Sequence, residues 1–270
     1  MPVAAPPSSA PPEDRSRPAL AGRRQLLDQA VPVVQRLAHD FGNYLTSLQG
    51  FAELAQGQLP RESPAAEHLT QVLRAARDAA RFTDRLRLLS RRGPARAHAA
   101  CLAAVAAVEA GRLRGAWGPA VRLTVQVAED LPPVRLDGEL LREVLCAVLE
   151  NAREAITGTG TVTLTARRAA LTEADCPELL GNPAPGPCVE VIVSDTGCGL
   201  GPEVQCRLLT EPFFTSKPGH RGLGLAVVHG ILHAHRGGFR LDPAPGQGAV
   251  GRLFLPTAPD LEGRALPRQC

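Results

Sequence analysis

Arg36-Leu-Ala-His-Asp-Phe-Gly-Asn-Tyr-Leu45 lies inside a long run whose apolar residues recur at alternating steps of four and three. Leu27, Val31, Val34, Ala38, Phe41, Leu45, Leu48, Ala52 and Ala55 trace that seam, which predicts one long helix in a hairpin or coiled-coil bundle. His39 falls just off the seam, so its imidazole stays wet and nucleophilic. Asp40 stands next to it and can hold or accept the proton on the other ring nitrogen. Asn43 follows one turn later on the same face, roughly 6 Å along the axis.

Working outward, Gly57-Gln-Leu-Pro60 ends this helix, which is predicted from Leu20 to about Gln58. Ser63, Pro64 and Glu67 then supply an N-cap, a first-turn proline and a first-turn carboxylate. They open a second amphipathic helix reaching about Arg92, with Leu69, Val72, Ala76, Ala79, Phe82, Leu86 and Leu89 inward. Two long helices joined by so few residues must run antiparallel. Each stripe is too wide for one partner, which predicts a homodimer whose two hairpins make a four-helix bundle. Before the bundle, residues 1–18 are rich in Pro, Ala and Ser and read as a disordered leader.

Beyond Gly93-Pro94 the pattern changes. Ala99 to Arg114 reads as a short helix and Val121–Val127 as a half-buried alternating strand. Leu140 to Ile156 is predicted helical, and Thr161–Ala166 and Cys188–Ser194 are predicted strands. Glu173 to Pro187 between them reads as a Pro/Gly-rich loop. Pro202 to Leu209 and Leu223 to His235 complete the predicted helices, and Gly238–Asp242 and Ala249–Leu255 the predicted strands. This half is expected to be an α+β layer sandwich, with helices on one face of a mixed sheet.

Composition narrows the function. The 270 residues are 44% hydrophobic but only 3% aromatic, with a formal charge of +3. The arginines are spread along the chain rather than gathered in a stripe, which argues against nucleic acid. Seven cysteines without Cys-x-x-Cys spacing read as reduced thiols of a cytoplasmic protein, not as a zinc site. No run of about 18 apolar residues is present, so no membrane span is expected.

Three stretches of the second half suit a nucleotide. Asn151 sits on a helix whose other face is apolar, where its amide can serve a Mg²⁺ ion that bridges phosphates. Asp195-Thr-Gly-Cys-Gly-Leu200 follows a buried strand. A carboxylate there can accept from an exocyclic amine, while Gly197 and Gly199 let the backbone approach a planar base. Glu211-Pro-Phe-Phe-Thr-Ser-Lys217 and Pro218-Gly-His-Arg-Gly-Leu-Gly-Leu225 lead into a helix N-terminus suited to phosphate. Lys217 and Arg221 bring mobile positive charge to it. Neither a Walker A loop nor a dinucleotide fingerprint is present.

With these residues in order, the chain resembles the sensor histidine kinases of two-component signalling, whose ATP-binding fold is shared with certain chaperones, gyrases and mismatch-repair ATPases. The resemblance covers about residues 20 to 256. It implies that His39-Asp40-Phe41-Gly42-Asn43 is the phosphoacceptor box and Asn151 the Mg²⁺-binding asparagine. It likewise implies that Asp195, Gly197 and Gly199 form the adenine box, Phe213-Phe214 the phenylalanine box, and Gly222-Leu223-Gly224 the second glycine box. It further implies ATP and Mg²⁺ as ligands, autophosphorylation of His39, transfer to an aspartate of a response-regulator receiver domain, and phosphatase action through Asn43. The expected layout is a dimerisation and phosphotransfer hairpin over 19–93, an ATP-binding domain over 94–256 and a loose tail over 257–270. The signal would come from an upstream sensor domain or a partner protein.

Three residues depart from the family pattern. Ala147 stands where a first asparagine is frequent, His220 where glycine is usual, and Gly42 where asparagine is frequent inside the active helix. Ala147 and His220 favour an alternative, a histidine phosphotransferase or phosphatase with a decayed ATP domain. An ATP-driven clamp would need a glutamate as base at the place of Ala147.

Overall fold

The computed structural model describes residues 16–60, 62–88, 99–201, 203–205, 207, 211, 214–215, 222–244 and 248–258. Helix α1 runs over Ser16–Gly57 and helix α2 over Pro64–Leu88. Ser63 caps α2 as its residue type predicts, its hydroxyl accepting from the Ala66 N–H at 3.2 Å. The two helices pack antiparallel. Gln56 Nε2 donates to Thr70 Oγ1 at 2.8 Å, and farther from the turn Arg77 reaches Glu53 at 3.4 Å.

The predicted seam of α1 divides into two. Ala38 and Ala52 are buried, at 0% and 7% exposure, and with half-buried Val34 and Leu45 they form the covered side. Phe41 and Leu48, placed on the same seam by sequence, are instead exposed. They join Val33, Leu37, Tyr44, Phe51 and Leu54 in a second apolar stripe that α2 does not cover. On α2 the covered residues are Ala66, Leu73, Ala76 and Thr83, while Val72 points outward. A 3.5-residue repeat marks the centre of a broad apolar arc, and one neighbouring helix covers only part of such an arc.

The second half builds one six-stranded sheet. Helix α3 spans Leu102–Trp117, β1 Val121–Val127, α4 Gly138–Glu154, β2 Gly160–Leu171, β3 Leu180–Gly181 and β4 Gly186–Asp195. Helix α5 spans Leu223–Ala234, followed by β5 Gly238–Pro243 and β6 Ala249–Pro256. The strand order is β1-β2-β4-β6-β5-β3. The β1–β2 pair is parallel and the others antiparallel, so the sheet is mixed.

Aliphatic side chains fill the space between the sheet and the three helices. Leu102 and Leu113 of α3, Leu141, Leu145 and Leu149 of α4, and Ile231 and Leu232 of α5 meet Leu164, Val191, Leu253 and Leu255, all nearly inaccessible. Each such side chain contributes about 1.5–3 kcal/mol by leaving water, so a core this size needs few aromatic rings. Trp117, at the end of α3, packs half-buried on this same core.

The stretch predicted as a loop between β2 and β4 carries structure of its own. Asp175 Oδ2 accepts from the backbone N–H and the hydroxyl of Thr172, at 2.8 and 2.6 Å. A 3-10 turn over Cys176–Glu178 follows. Strand β3 then adds to the sheet edge, Leu180 pairing with Phe239. Gly181, with φ +104°, allows this approach, because a Cβ on it would lie 2.5 Å from the Gly237 carbonyl oxygen. Two-residue strands give almost no periodic signal, so the sequence reads only their turn formers.

Candidate nucleotide and phosphoacceptor site

The Asp195 corner is assembled by three elements. Strand β4 ends on Asp195, which is 8% exposed and paired across to Val162 of β2. Its Oδ1 accepts from the Gly197 N–H at 2.8 Å, an arrangement that turns the loop and orients the carboxylate together. The loop is pinned to the end of α4, where the Ala155 carbonyl accepts from the Cys198 N–H at 2.9 Å. A Cβ on Gly197 would lie 2.5 Å from that same oxygen, so glycine is required for the fit. Thr196 serves the scaffold: its Oγ1 accepts from the Thr161 N–H at 3.0 Å.

Helix α4 presents Asn151, half-buried, about four turns after an N-cap in which Asp137 accepts from the Leu140 N–H at 2.8 Å. Helix α5 starts beside it. Gly222 caps α5 in a left-handed conformation, φ +64°, and a Cβ on Gly224 would lie 3.9 Å from the Ala147 carbonyl oxygen. The start of α5 and the middle of α4 therefore run together. Leu223 is the first residue of α5. Phe214 is half-buried beneath the Arg207 guanidinium, 4.1 Å from its ring centroid, and Arg207 also forms a two-point ion pair with Glu211. Lys217, Arg221, Phe213 and His220 lie outside the described residues.

On α1, His39 and Asp40 are 63% and 56% exposed. The ring nitrogen Nδ1 of His39 lies 3.2 Å from Asp40 Oδ1. A carboxylate there selects the tautomer with its proton on Nδ1, which leaves the Nε2 lone pair for nucleophilic attack. Asn43 is exposed one turn on. Thr46 and Ser47 donate back to the carbonyls of Gly42 and Asn43, at 2.9 and 3.1 Å. Back-bonds of this kind slightly loosen and bend a helix, adding to the effect of Gly42.

Residues 136–259 match one family, described as "Histidine kinase-, DNA gyrase B-, and HSP90-like ATPase". Residues 136–259 are thus similar to the ATPase domains of this family. Over 248 residues, 92% of the chain, the protein is 28% identical to the signal transduction histidine-protein kinase AtoS of Escherichia coli (strain K12), covering 38% of it. Over 223 residues it is 30% identical to the sensor kinase CckA of Brucella abortus (strain 2308), covering 82% of this chain and 23% of CckA. The fold is like that of full-length ShkA, crystallised in complex with AMPPNP. The TM-score is 0.60 at 22% identity, covering 84% of this chain and 46% of ShkA. The chain is similar to these sensor histidine kinases and spans less than half the length of AtoS or CckA.

The histidine kinase-type ATPase domain extends structurally before residue 136, since Leu102, Leu113, Val121 and Leu123 share its core. The fold gathers Asp195, Gly197 and Gly199 at one corner and runs Gly222, Leu223 and Gly224 alongside α4. Sequence reasoning missed Ala155 and Thr161 as supports of the loop after Asp195, and Gly248 as a neighbour of Asp195 itself. Their signals are weak, a helix end, a threonine in an alternating strand and a glycine before one. Of the described cysteines, Cys101, Cys146, Cys188 and Cys198 are free thiols, and the Cys176 thiol donates to the Thr172 carbonyl at 3.3 Å. Burial pushes Cys146 up to about 12 and Cys188 up to about 11, and only Cys198 is exposed. Among the described residues no helix is long and apolar enough to cross a membrane.

Proposed function

We propose that this chain is an ATP-dependent protein-histidine kinase that phosphorylates itself on His39 and passes the phosphoryl group to an aspartate of a response-regulator receiver domain. The observation that carries the reading is a water-exposed His39 with Nδ1 on Asp40, borne by the same chain as a histidine kinase-type ATPase domain. Nε2 attacks the γ-phosphorus, an N–P bond forms, and the bond to the ADP oxygen breaks. Asp40 steadies the ring cation and receives the Nδ1 proton. Asp195 takes the adenine amine, Gly197 and Gly199 leave room for the base, and Gly222, Leu223 and Gly224 supply N–H groups to the phosphates. Phe214 braces the segment leading to them, while Lys217 and Arg221 bring charge.

The amide of Asn151 suits Mg²⁺, which prefers oxygen ligands and keeps several waters. When bound, the ion would neutralise charge on the phosphates. Asn43 orients water against the phosphorylated regulator, giving the phosphatase role. The uncovered stripe from Val33 to Leu54 supports a homodimer formed through residues 19–93, with 94–256 as the catalytic unit and 1–18 and 257–270 as flanking segments. The location is cytoplasmic, and the signal comes from a sensor domain or a partner protein.

Incubation with γ-labelled ATP, followed by acid and alkali treatment, tests this. Acid-labile, alkali-stable label that vanishes in His39→Ala is expected, and label persisting in that variant overturns the assignment. The alternative is a relay with a decayed ATP domain. It draws on Ala147, which offers no side-chain ligand on α4, and it predicts no ATP binding by titration calorimetry.

A further inference from the structure

Asp195 has a neighbour that belongs to none of the nucleotide-suited stretches. Gly248 stands immediately before β6 with φ +108°, a conformation in which side chains are strained. A Cβ built there would lie 2.0 Å from the Asp195 carbonyl oxygen, 2.9 Å from its carbonyl carbon and 3.3 Å from Oδ1. What it would strike is backbone at the end of a strand paired on both sides, through Asp195 to Val162 and through Ser194 to Val250. No flexible side chain is there to yield. Gly199, with φ +76°, leans on the same residue, since its Cβ would lie 3.2 Å from the Gly248 oxygen and 3.3 Å from its nitrogen. Gly248 is thus in close contact both with the Asp195 peptide and with the second glycine of the loop.

We propose that Gly248 is a positioning residue for base recognition. Lacking a side chain, it lets the start of β6 close on Asp195 and fixes how deep the carboxylate stands in the corner. The inference rests on the reading of Asp195 as acceptor of the adenine amine. Hydrogen bonds weaken steeply when an acceptor is displaced or tilted. A methyl group at position 248 must move the Asp195 peptide, and with it the carboxylate. The residues assigned to the phosphates, Asn151 and Gly222 to Gly224, stand on α4 and at the start of α5, and none of them is among the nearest atoms that a Cβ at position 248 would meet. The loss on substitution therefore falls on the base and spares the triphosphate.

The test compares ATP with inosine 5′-triphosphate, which carries a carbonyl where ATP carries the amine, by titration calorimetry on the full chain. A site built around that amine should favour ATP by about tenfold or more. Gly248→Ala is expected to weaken ATP by about tenfold and inosine triphosphate by less than about threefold, so the preference collapses. Gly201→Ala, at a position with open space around it, should keep the preference. A preference retained by Gly248→Ala overturns the role of Gly248, as does an equal loss of both nucleotides. A wild type without any preference sinks the Asp195 reading and this inference with it. If circular dichroism shows Gly248→Ala unfolded, Gly199→Ala takes its place, because its methyl meets Gly248 at 3.2 Å rather than 2.0 Å, the strain of its φ of +76° being common to both positions. An unchanged preference in that variant likewise overturns the proposal.

Discussion

The chemistry proposed for His39 depends on which ring nitrogen is free, and a carboxylate 3.2 Å from Nδ1 favours a proton there. Asp40→Asn removes the charge that steadies the ring cation. It should slow labelling of His39 by about a hundredfold while leaving ATP affinity unchanged, which titration calorimetry checks. Asp195→Asn exchanges an acceptor-only carboxylate for an amide whose NH₂ would face another NH₂. It should weaken ATP by about ten- to a hundredfold, and unchanged affinity would remove Asp195 from the site. Asn43→Ala should spare autophosphorylation and slow dephosphorylation of a phosphorylated regulator. Loss of both activities would make Asn43 structural.

At the scale of elements, the outer face of the sheet is tied by charge. Glu190 of β4, 4% exposed, accepts from Arg167 of β2 at 2.6 Å and from Arg252 of β6 at 2.8 Å. Burial pushes the Glu190 carboxyl up, but the two guanidinium groups outweigh it and hold the group below its ordinary 4.5. A carboxyl depressed on folding adds stability that is complete above its unfolded value and is lost as pH falls through its folded value. Glu190→Gln should therefore cost about 1–2 kcal/mol at neutral pH, the arginines being partly in water. The gap to wild type should close below pH 4.5, as urea unfolding at several pH values would show. The end of α5 offers the opposite sign. Arg236 takes φ +62° where the Gly237 N–H reaches back to the Leu232 carbonyl at 2.8 Å, a helix stop that favours glycine. Arg236→Gly should stabilise the fold by about 0.5–1 kcal/mol, read as a rise in Tm.

For the whole molecule the uncovered stripe of α1 is the surface on which the proposed homodimer rests. Phe51 is 74% exposed, Tyr44 72% and Leu54 66%, a continuous apolar band of the kind that marks an interface. Phe51→Glu should shift the sedimenting species from dimer to monomer without unfolding the ATPase domain, and an unchanged dimer would place the interface elsewhere. Sequence alone determined the parts whose cause is local or periodic. These are the long helices, the alternating strands, the cap at Ser63, and the order of the nucleotide-suited stretches. The division of the α1 seam between a covered and an open side could not be read that way, because Phe41 and Leu45 look alike until a neighbouring helix covers one of them. Nor could strand β3, or the closeness of Ala155, Thr161 and Gly248 to the Asp195 corner. Periodicity reports which way a residue faces along its own element. What stands opposite it depends on how distant elements pack, and only the tertiary structure fixes that.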